Sequence, residues 1–320
     1  MKYNLLLSVI IPTRNRANML KKTLKSIANQ NLSQNFFETI VVDNGSTDET
    51  KEVVDSYIGN ICNLRYYYEE TPGLHVGRHK GLKEANASIL VYADDDIEAF
   101  PSWLEAIAEV FEDKRVTLAG GKVLPTFETK PPEWLFELWS RKHDKEKVLS
   151  YLSIIDLGDE TKEIAPCLVF GCNFSIRKST LIEAGGFHPD AMPENLIHFR
   201  GDGETHVSNY IATHHYTSLY HPKASVSHFI PKGRMTVDYF CERAYKQGIS
   251  DSFAHIRKAG LGLRLPLFLK ALKCLLLWSF NSKLQAQYQM AYLRGYIRHQ
   301  RNVKMDCALL DWVTKSTFLD

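Results

Sequence analysis

Val91-Tyr92-Ala93-Asp94-Asp95-Asp96 is an apolar run that ends in three successive carboxylates. The segment from Ser88 to Ala93 is too apolar for a surface loop and reads as a buried strand. Its polar end then falls at the carboxyl edge of a sheet, where open α/β folds bind ligands. Three adjacent acids repel one another, which raises their pKa values unless a cation sits among them, and an all-oxygen cluster suits Mg2+ or Mn2+. A solvated acidic turn ahead of a helix starting near Pro101 fits the same residues, because acids there are favourable in their own right. The triplet alone does not separate the two readings.

Toward the N-terminus the pattern repeats. Leu5 to Ile11 is an apolar run that meets Pro12-Thr13-Arg14-Asn15-Arg16, which reads as a buried first strand ending in a polar loop, not as a secretory signal or a membrane span. Leu20, Leu24, Ile27 and Ala28 share one face of a helix over Ala17 to Gln30. Thr39 to Val42 reads as a second strand, which ends in Asp43-Asn44-Gly45-Ser46-Thr47-Asp48 and leads into a helix from about Asp48 to Tyr57. Leu64 to Tyr68 reads as a third strand, Pro72-Gly73 as a break, and Val76 to Asn86 as the helix before Ser88. Such alternation indicates a mostly parallel sheet with right-handed crossovers, an α/β fold in which the strand ends at Pro12, Asp43 and Asp94 converge on one edge. No G-x-G-x-x-G follows the first strand, which argues against a nicotinamide dinucleotide enzyme, and no P-loop pattern occurs.

The ordered series Ser8-Val9-Ile10-Ile11-Pro12-Thr13-Arg14-Asn15-Arg16, Val41 to Asp48, Gly77-Arg78-His79-Lys80-Gly81, Asp94-Asp95-Asp96 with Pro101-Ser102-Trp103-Leu104, Gly120-Gly121-Lys122-Val123, Gly171 to Arg177 and Gly185-Gly186-Phe187 resembles the family 2 glycosyltransferases. That resemblance spans roughly residues 5 to 248 and implies a nucleotide-sugar-binding GT-A fold and inverting transfer. It implies that Asp43 accepts a hydrogen bond from a uracil imide, with Pro12, Thr13 and Arg14 walling the base. It places Arg78 near the nucleotide, Asp94 near the ribose, Asp95 in a variable position and Asp96 on a divalent ion that bridges both phosphates. His79 stands where the family usually has Asn. His228 resembles a histidine that some GT-A enzymes add to the metal shell, and Lys232 and Arg234 follow it toward the diphosphate.

Inverting transfer needs a general base for the acceptor hydroxyl. Family members commonly carry an Asp in a G-E-D segment; here Phe199 to His206 offers Asp202 and Glu204 instead, with the altered order favouring Asp202 slightly and the other acid expected to cap the helix beginning near Thr205. Elsewhere in the second half, Pro125 to Trp139 and the charged run from Arg141 to Lys147 read as an exposed loop or solvated helix, with a mobile flap over the acceptor as the functional alternative. Cys167 to Ile176 reads as a strand in which Gly171 and Asn173 let backbone approach the donor sugar.

The expected organisation is a catalytic domain over 1–248, with a nucleotide-binding half over 1–121 and an acceptor half over 122–248, followed by a helical extension over 249–320. The apolar stretch 261–280 carries Arg264, Pro266, Lys270 and Lys273, which argues against a clean span; a helix lying on the cytoplasmic leaflet and a helix packed on protein or in a homodimer are equally consistent with it. Basic residues number 39 against 37 acidic, so charge gives no case for a nucleic-acid partner. Six scattered cysteines without C-x-x-C spacing indicate free thiols in a reducing compartment.

These readings converge on a metal-dependent, non-processive transferase that moves a sugar from a nucleoside-diphosphate donor, UDP-linked, to a carbohydrate, lipid-linked or other hydroxyl acceptor. No Q-x-x-R-W segment accompanies it. Cytoplasmic assembly of a bacterial surface polysaccharide or other glycoconjugate is the setting the resemblance implies. A nucleotidyltransferase on a related scaffold would carry a Gly-rich basic loop after the first strand, which Pro12 to Arg16 lacks. A non-catalytic nucleotide-sugar-binding protein would bind without turnover.

Overall fold

The structure is a computed structural model that describes residues 5–140, 146–262 and 283–319. Among these residues the strands form two sheets. The first is built around β1 (Leu7–Thr13), whose seven residues are all buried. It pairs in parallel with β2 (Phe37–Asp43) on one side and β4 (Ile89–Ala93) on the other, and β2 pairs with β3 (Leu64–Tyr68) at the edge. A strand covered on both faces reads as a continuous apolar run, as β1 and β4 do. Val9, Ile11 and Val91 join one core, while Ile10, Leu90 and Tyr92 join the other.

Beyond β4 the sheet turns mixed. β11 (Asn173–Arg177) lies antiparallel between β4 and β6 (Val116–Gly120), followed by β12 (Thr217–Tyr220) and β10 (Lys162–Glu163). The second sheet runs β5 (Ile97–Ala99), β13 (Val226–Ile230), β7 (Val123–Phe127), β9 (Ile154–Asp156) and β8 (Lys147–Leu149). Asp94, Asp95 and Asp96 are the whole connection between β4 of one sheet and β5 of the other.

Helices α1 (Ala17–Ala28), α2 (Thr50–Asp55) and α3 (Leu74–Glu84) supply the crossovers. α1 buries Leu20, Leu24 and Ile27, as its spacing predicts, and α3 starts two residues before the expected Val76 because Pro72-Gly73 breaks the chain just ahead of it. Three expectations shift. The strand expected from Cys167 starts at Asn173, since Pro166 opens a short 3-10 turn over Pro166–Leu168. His228 lies within β13, not at a strand end. Pro125 to Trp139 divides between β7 and a helix, α5 (Glu133–Ser140), whose Leu135 is buried in the core.

After α4 (Trp103–Val110), α6 (Lys178–Glu183) and α7 (Glu204–Thr213), the chain enters α8 (Val237–Ala259), whose start is capped by Thr236 Oγ1 accepting from the Tyr239 amide at 3.1 Å. α8 runs through residue 248 without a break, so the expected domain boundary there falls inside a continuous helix. It packs on α9 (Lys283–Met305) at very short range: a Cβ at Gly248 would lie 2.1 Å from the Tyr292 carbonyl oxygen, and one at Gly295 2.0 Å from that of Tyr245. α10 (Cys307–Thr314) and the tail to Leu319 close back on the catalytic half, where Trp312 Nε1 donates to the Phe199 carbonyl at 2.8 Å. Among the described residues no helix is long and apolar enough to cross a membrane. Residues 263–280 of the apolar stretch, and 141–145 of the charged run, lie outside the described residues.

Candidate active site

Parallel pairing of β1 with β2 sets Thr13 beside Asp43, and Thr13 Oγ1 donates to Asp95 Oδ2 at 2.7 Å, so the three strand ends meet as expected. Pro12, Thr13, Arg14, Asp94 and Asp95 line a cavity of 390 Å³, with Asn44, Gly73 and Met192 across from them. Asp43 is buried and is not among the residues lining that cavity, although its neighbour Asn44 is; it accepts from the Ser46 amide and from the Tyr66 hydroxyl, both at 2.8 Å. Two of the lone-pair directions of that carboxylate are thereby filled and two remain.

Arg16 carries a role the sequence did not reveal. Its guanidinium bridges Asp95 at 2.5 Å and Asp96 at 2.7 Å, the planar fork matching two neighbouring carboxylates. Burial nevertheless pushes Asp95 up to about 7, with Asp96 adding to the rise and Arg16 opposing it. β13 delivers His228 to the same acids by pairing with β5, so that Nε2 lies 3.4 Å from Asp96 Oδ1. Arg234 follows at 3.6 Å from the other Asp96 oxygen, whereas Lys232 uses its backbone amide on Glu128.

On the far side of Asp94 lies a second cavity of 360 Å³ lined by Arg78, Asp94, Asp202, Glu204 and His228. Asp94, Leu74, Ala191 and Arg234 line both cavities and form the partition. Arg78 therefore lies on the deeper side, not among the residues lining the Pro12 to Arg14 cavity. It is fully buried, donates to Glu204 Oε1 at 2.5 Å and Asp94 Oδ1 at 3.2 Å, and reaches the Gly171 carbonyl at 3.1 Å. Gly171 leaves room for this arrangement, because a Cβ would sit 2.0 Å from Glu204 Oε1 and the carboxylate would have to move. Asn173, by contrast, faces the protein interior: Trp103 Nε1 donates to it at 2.9 Å, and its own amide donates to the Ala224 carbonyl.

The two candidate bases differ in setting. Glu204 is the first residue of α7, with a side chain 26% exposed. Burial would raise its pKa, but Arg78 and then His75 outweigh burial and hold it down at about 2. Asp202, with a side chain only 5% exposed, is held by His188 Nδ1 at 2.5 Å, and burial pushes it up to about 6. His188 in turn stacks on His206 with ring centroids 3.6 Å apart. Sequence reasoning also missed the Arg200–Asp190 ion pair that borders the deeper cavity, and it missed His75, buried with neither ring nitrogen bonded to a described residue. His79 turns away from the cleft: its Nε2 accepts from the Phe187 amide at 2.9 Å.

The chain is similar to proteins of known activity and structure. The family model described as glycosyl transferase family 2 matches residues 8–181, more than half of the 320-residue chain. The chain belongs to this family. It is 34% identical over 121 residues to glycosyltransferase AglE of Haloferax volcanii, a stretch that covers 38% of this chain and 40% of that relative. With glucosyl-dolichyl phosphate glucuronosyltransferase of the same organism it shares 24% identity over 250 residues, 76% of this chain and 75% of the other. A third relative, GalNAc(5)-diNAcBac-PP-undecaprenol beta-1,3-glucosyltransferase of Campylobacter jejuni, is 33% identical over 105 residues, 32% of this chain and 33% of its own. The match thus spans well under half of AglE and of the Campylobacter relative. Among solved structures, mannosyltransferase PcManGT of Pyrobaculum calidifontis, in complex with GDP-Man and Mn2+, superposes with a TM-score of 0.59 at 18% identity, covering 91% of this chain and 86% of its own. Residues 1–349 of S. aureus TarS with UDP-GlcNAc give 0.52 at 15%, covering 94% and 92%. At such identities these two structures establish the shared GT-A fold of this family 2 glycosyltransferase.

Proposed function

We propose that this protein transfers a glycosyl group from a UDP-sugar to an acceptor hydroxyl with inversion at the anomeric carbon, one sugar per encounter. The observation that carries the reading is the partition at Asp94: one cavity walled by Pro12, Thr13 and Arg14 is fit for the nucleotide, and the other presents a carboxylate base, Glu204, two hydrogen-bond steps from Asp94 through Arg78. Asp43, with lone pairs left over from Tyr66 and Ser46, is the group proposed to read the uracil imide.

Asp96 and His228 fit a divalent ion. Asp96 Oδ1 is buried without a hydrogen-bond partner among the described residues and faces His228 Nε2 at 3.4 Å. Adjacent ligands of a six-coordinate ion bound at about 2.1 Å stand roughly 3 Å apart, so little movement is needed. Mn2+ or Mg2+ held there would neutralise the diphosphate as it leaves. Arg16 and Arg234 flank the same acids and hold cationic groups toward the diphosphate.

Glu204 is favoured over Asp202 as base because its side chain is the more open and stands beside the partition, while Asp202 is occupied by His188. Glu204 is ionised throughout the working pH range; its ion pair with Arg78 makes it a weaker base than a free carboxylate, so it takes the hydroxyl proton only as that oxygen attacks from the face opposite the diphosphate. Arg78 sets the direction of its carboxylate. Family relatives named for glucosyl-dolichyl phosphate and for a PP-undecaprenol glycan support a lipid-linked acceptor and a place in glycoconjugate assembly.

Incubation with Mn2+ and single nucleotide sugars tests the reading. Slow release of UDP from one of them is the expected result. Pyrophosphate release from a nucleoside triphosphate would establish a nucleotidyltransferase instead, and binding without turnover a non-catalytic protein.

A further inference from the structure

α8 places Tyr239, Arg243, Gln247 and Ser250 at intervals of four, four and three residues, the spacing of one helical face, and all four line the deeper cavity. A polar stripe on a helix ordinarily faces solvent; this one faces inward, and none of the four lines the nucleotide cavity.

Among the described residues the charges around the cavity pair off with one exception. Asp94 and Glu204 share Arg78, Asp190 pairs with Arg200, Asp202 with His188, and Arg234 leans on Asp96. Arg243 has no carboxylate within 4.0 Å among the described residues, and its buried Nε has no hydrogen-bond partner there. The other charges of α8 do not reach it: Glu242 pairs with Lys246, and Asp251 accepts from Gln247 at 2.8 Å and Tyr292 at 2.5 Å. Across from Arg243 stands Tyr151, whose phenol burial raises and the Arg243 charge lowers, with Ser150 and Ser153 beside it. A guanidinium half-withdrawn from water and left without an acid is costly unless something anionic completes it.

From this juxtaposition we infer that Arg243, with Gln247 and the Ser150 to Ser153 turn, forms an anion-binding subsite for the acceptor. The acceptor therefore carries a phosphate or carboxylate group near the hydroxyl that is glycosylated. The inference rests on the transferase reading, since it assigns the deeper cavity to the acceptor. Arg243 presents two parallel N–H donors, the geometry that oxyanions take, while Gln247 and the serines add neutral donors.

The test is calorimetric titration of protein saturated with UDP and Mn2+, so that the diphosphate region is filled, using phenyl phosphate, benzoate and benzyl alcohol as probes. Phenyl phosphate or benzoate is expected to bind and benzyl alcohol not; whichever anion binds tighter identifies the group. Arg243→Gln is expected to weaken that binding roughly ten- to a hundred-fold, and Arg243→Lys to recover part of it. UDP binding measured on each variant confirms that its fold is intact. Equal binding of the anions by wild type and Arg243→Gln, or no preference for anions over benzyl alcohol, would overturn the inference. Wild-type protein that binds UDP but no anion removes this subsite alone; failure to bind any nucleotide removes the donor reading as well.

Discussion

Nη1 of Arg78 lies 2.5 Å from Oε1 of Glu204, although the two residues are 126 positions apart. The same guanidinium reaches Asp94, just after β4, and the Gly171 carbonyl, so one side chain ties α3, the acidic triplet and the start of α7 into a single unit. Removing it leaves two partly exposed carboxylates without their shared counter-charge. Arg78→Met is expected to lower kcat/KM at least a hundred-fold and to destabilise the fold by about 1–3 kcal/mol, the cost of losing charge-assisted hydrogen bonds at partly exposed acids. Arg78→Lys should recover little, because an ammonium cannot span both carboxylates. Urea unfolding and steady-state rates check both statements.

Glu204→Gln keeps the shape of the side chain and removes the base. Its kcat is expected to fall about 10²–10⁴-fold while UDP affinity changes little. Asp202→Asn should act more mildly, through His188, because Asp202 is the more enclosed of the two acids. A larger loss in Asp202→Asn than in Glu204→Gln would reverse the assignment.

The depressed pKa of Glu204 fixes a pH signature. The group sits at about 2 in the fold against 4.5 ordinarily, so the unfolded chain binds its proton first as pH falls. Its contribution to stability is therefore complete above about pH 4.5 and disappears progressively toward pH 2. Tm measured against pH should fall more steeply for wild type than for Glu204→Gln across that window, the two curves converging at its acid end.

Asp96→Ala removes the buried oxygen that faces His228 and leaves Arg16 with Asp95 alone. Turnover should be lost, and Mn2+ should no longer strengthen UDP binding in a titration. Full activity in this variant would contradict the metal assignment.

Gly171→Ala adds a methyl where 2.0 Å separates the new carbon from Glu204 Oε1. The carboxylate must swing away from Arg78, so activity is expected to drop by more than tenfold with UDP binding retained.

Much of the donor half was legible because burial on both faces imposes long apolar runs, and the residue that ends each run marks the sheet edge; Pro12, Asp43 and Asp94 are found this way. Pairing Asp96 with His228 needed the resemblance, since no local pattern links a residue after β4 to one inside β13. Arg78 stands out only through the resemblance, its partners are set by how α3 and α7 pack, and its neighbourhood on the Glu204 side was not visible. The α8 stripe has a readable period, yet Arg243 and Gln247 look like a solvated face until α9 and the cavity show which side is covered. His79, standing where the family usually has Asn, turns from the cleft and secures Phe187.

Because Asp94, Asp95 and Asp96 join β4 of one sheet directly to β5 of the other, an ion gripped by Asp96 and His228 would act as a rivet at that seam. Loading it should slow amide exchange in β5 and β13 together, coupling the stiffness of the scaffold to the occupancy of the cleft.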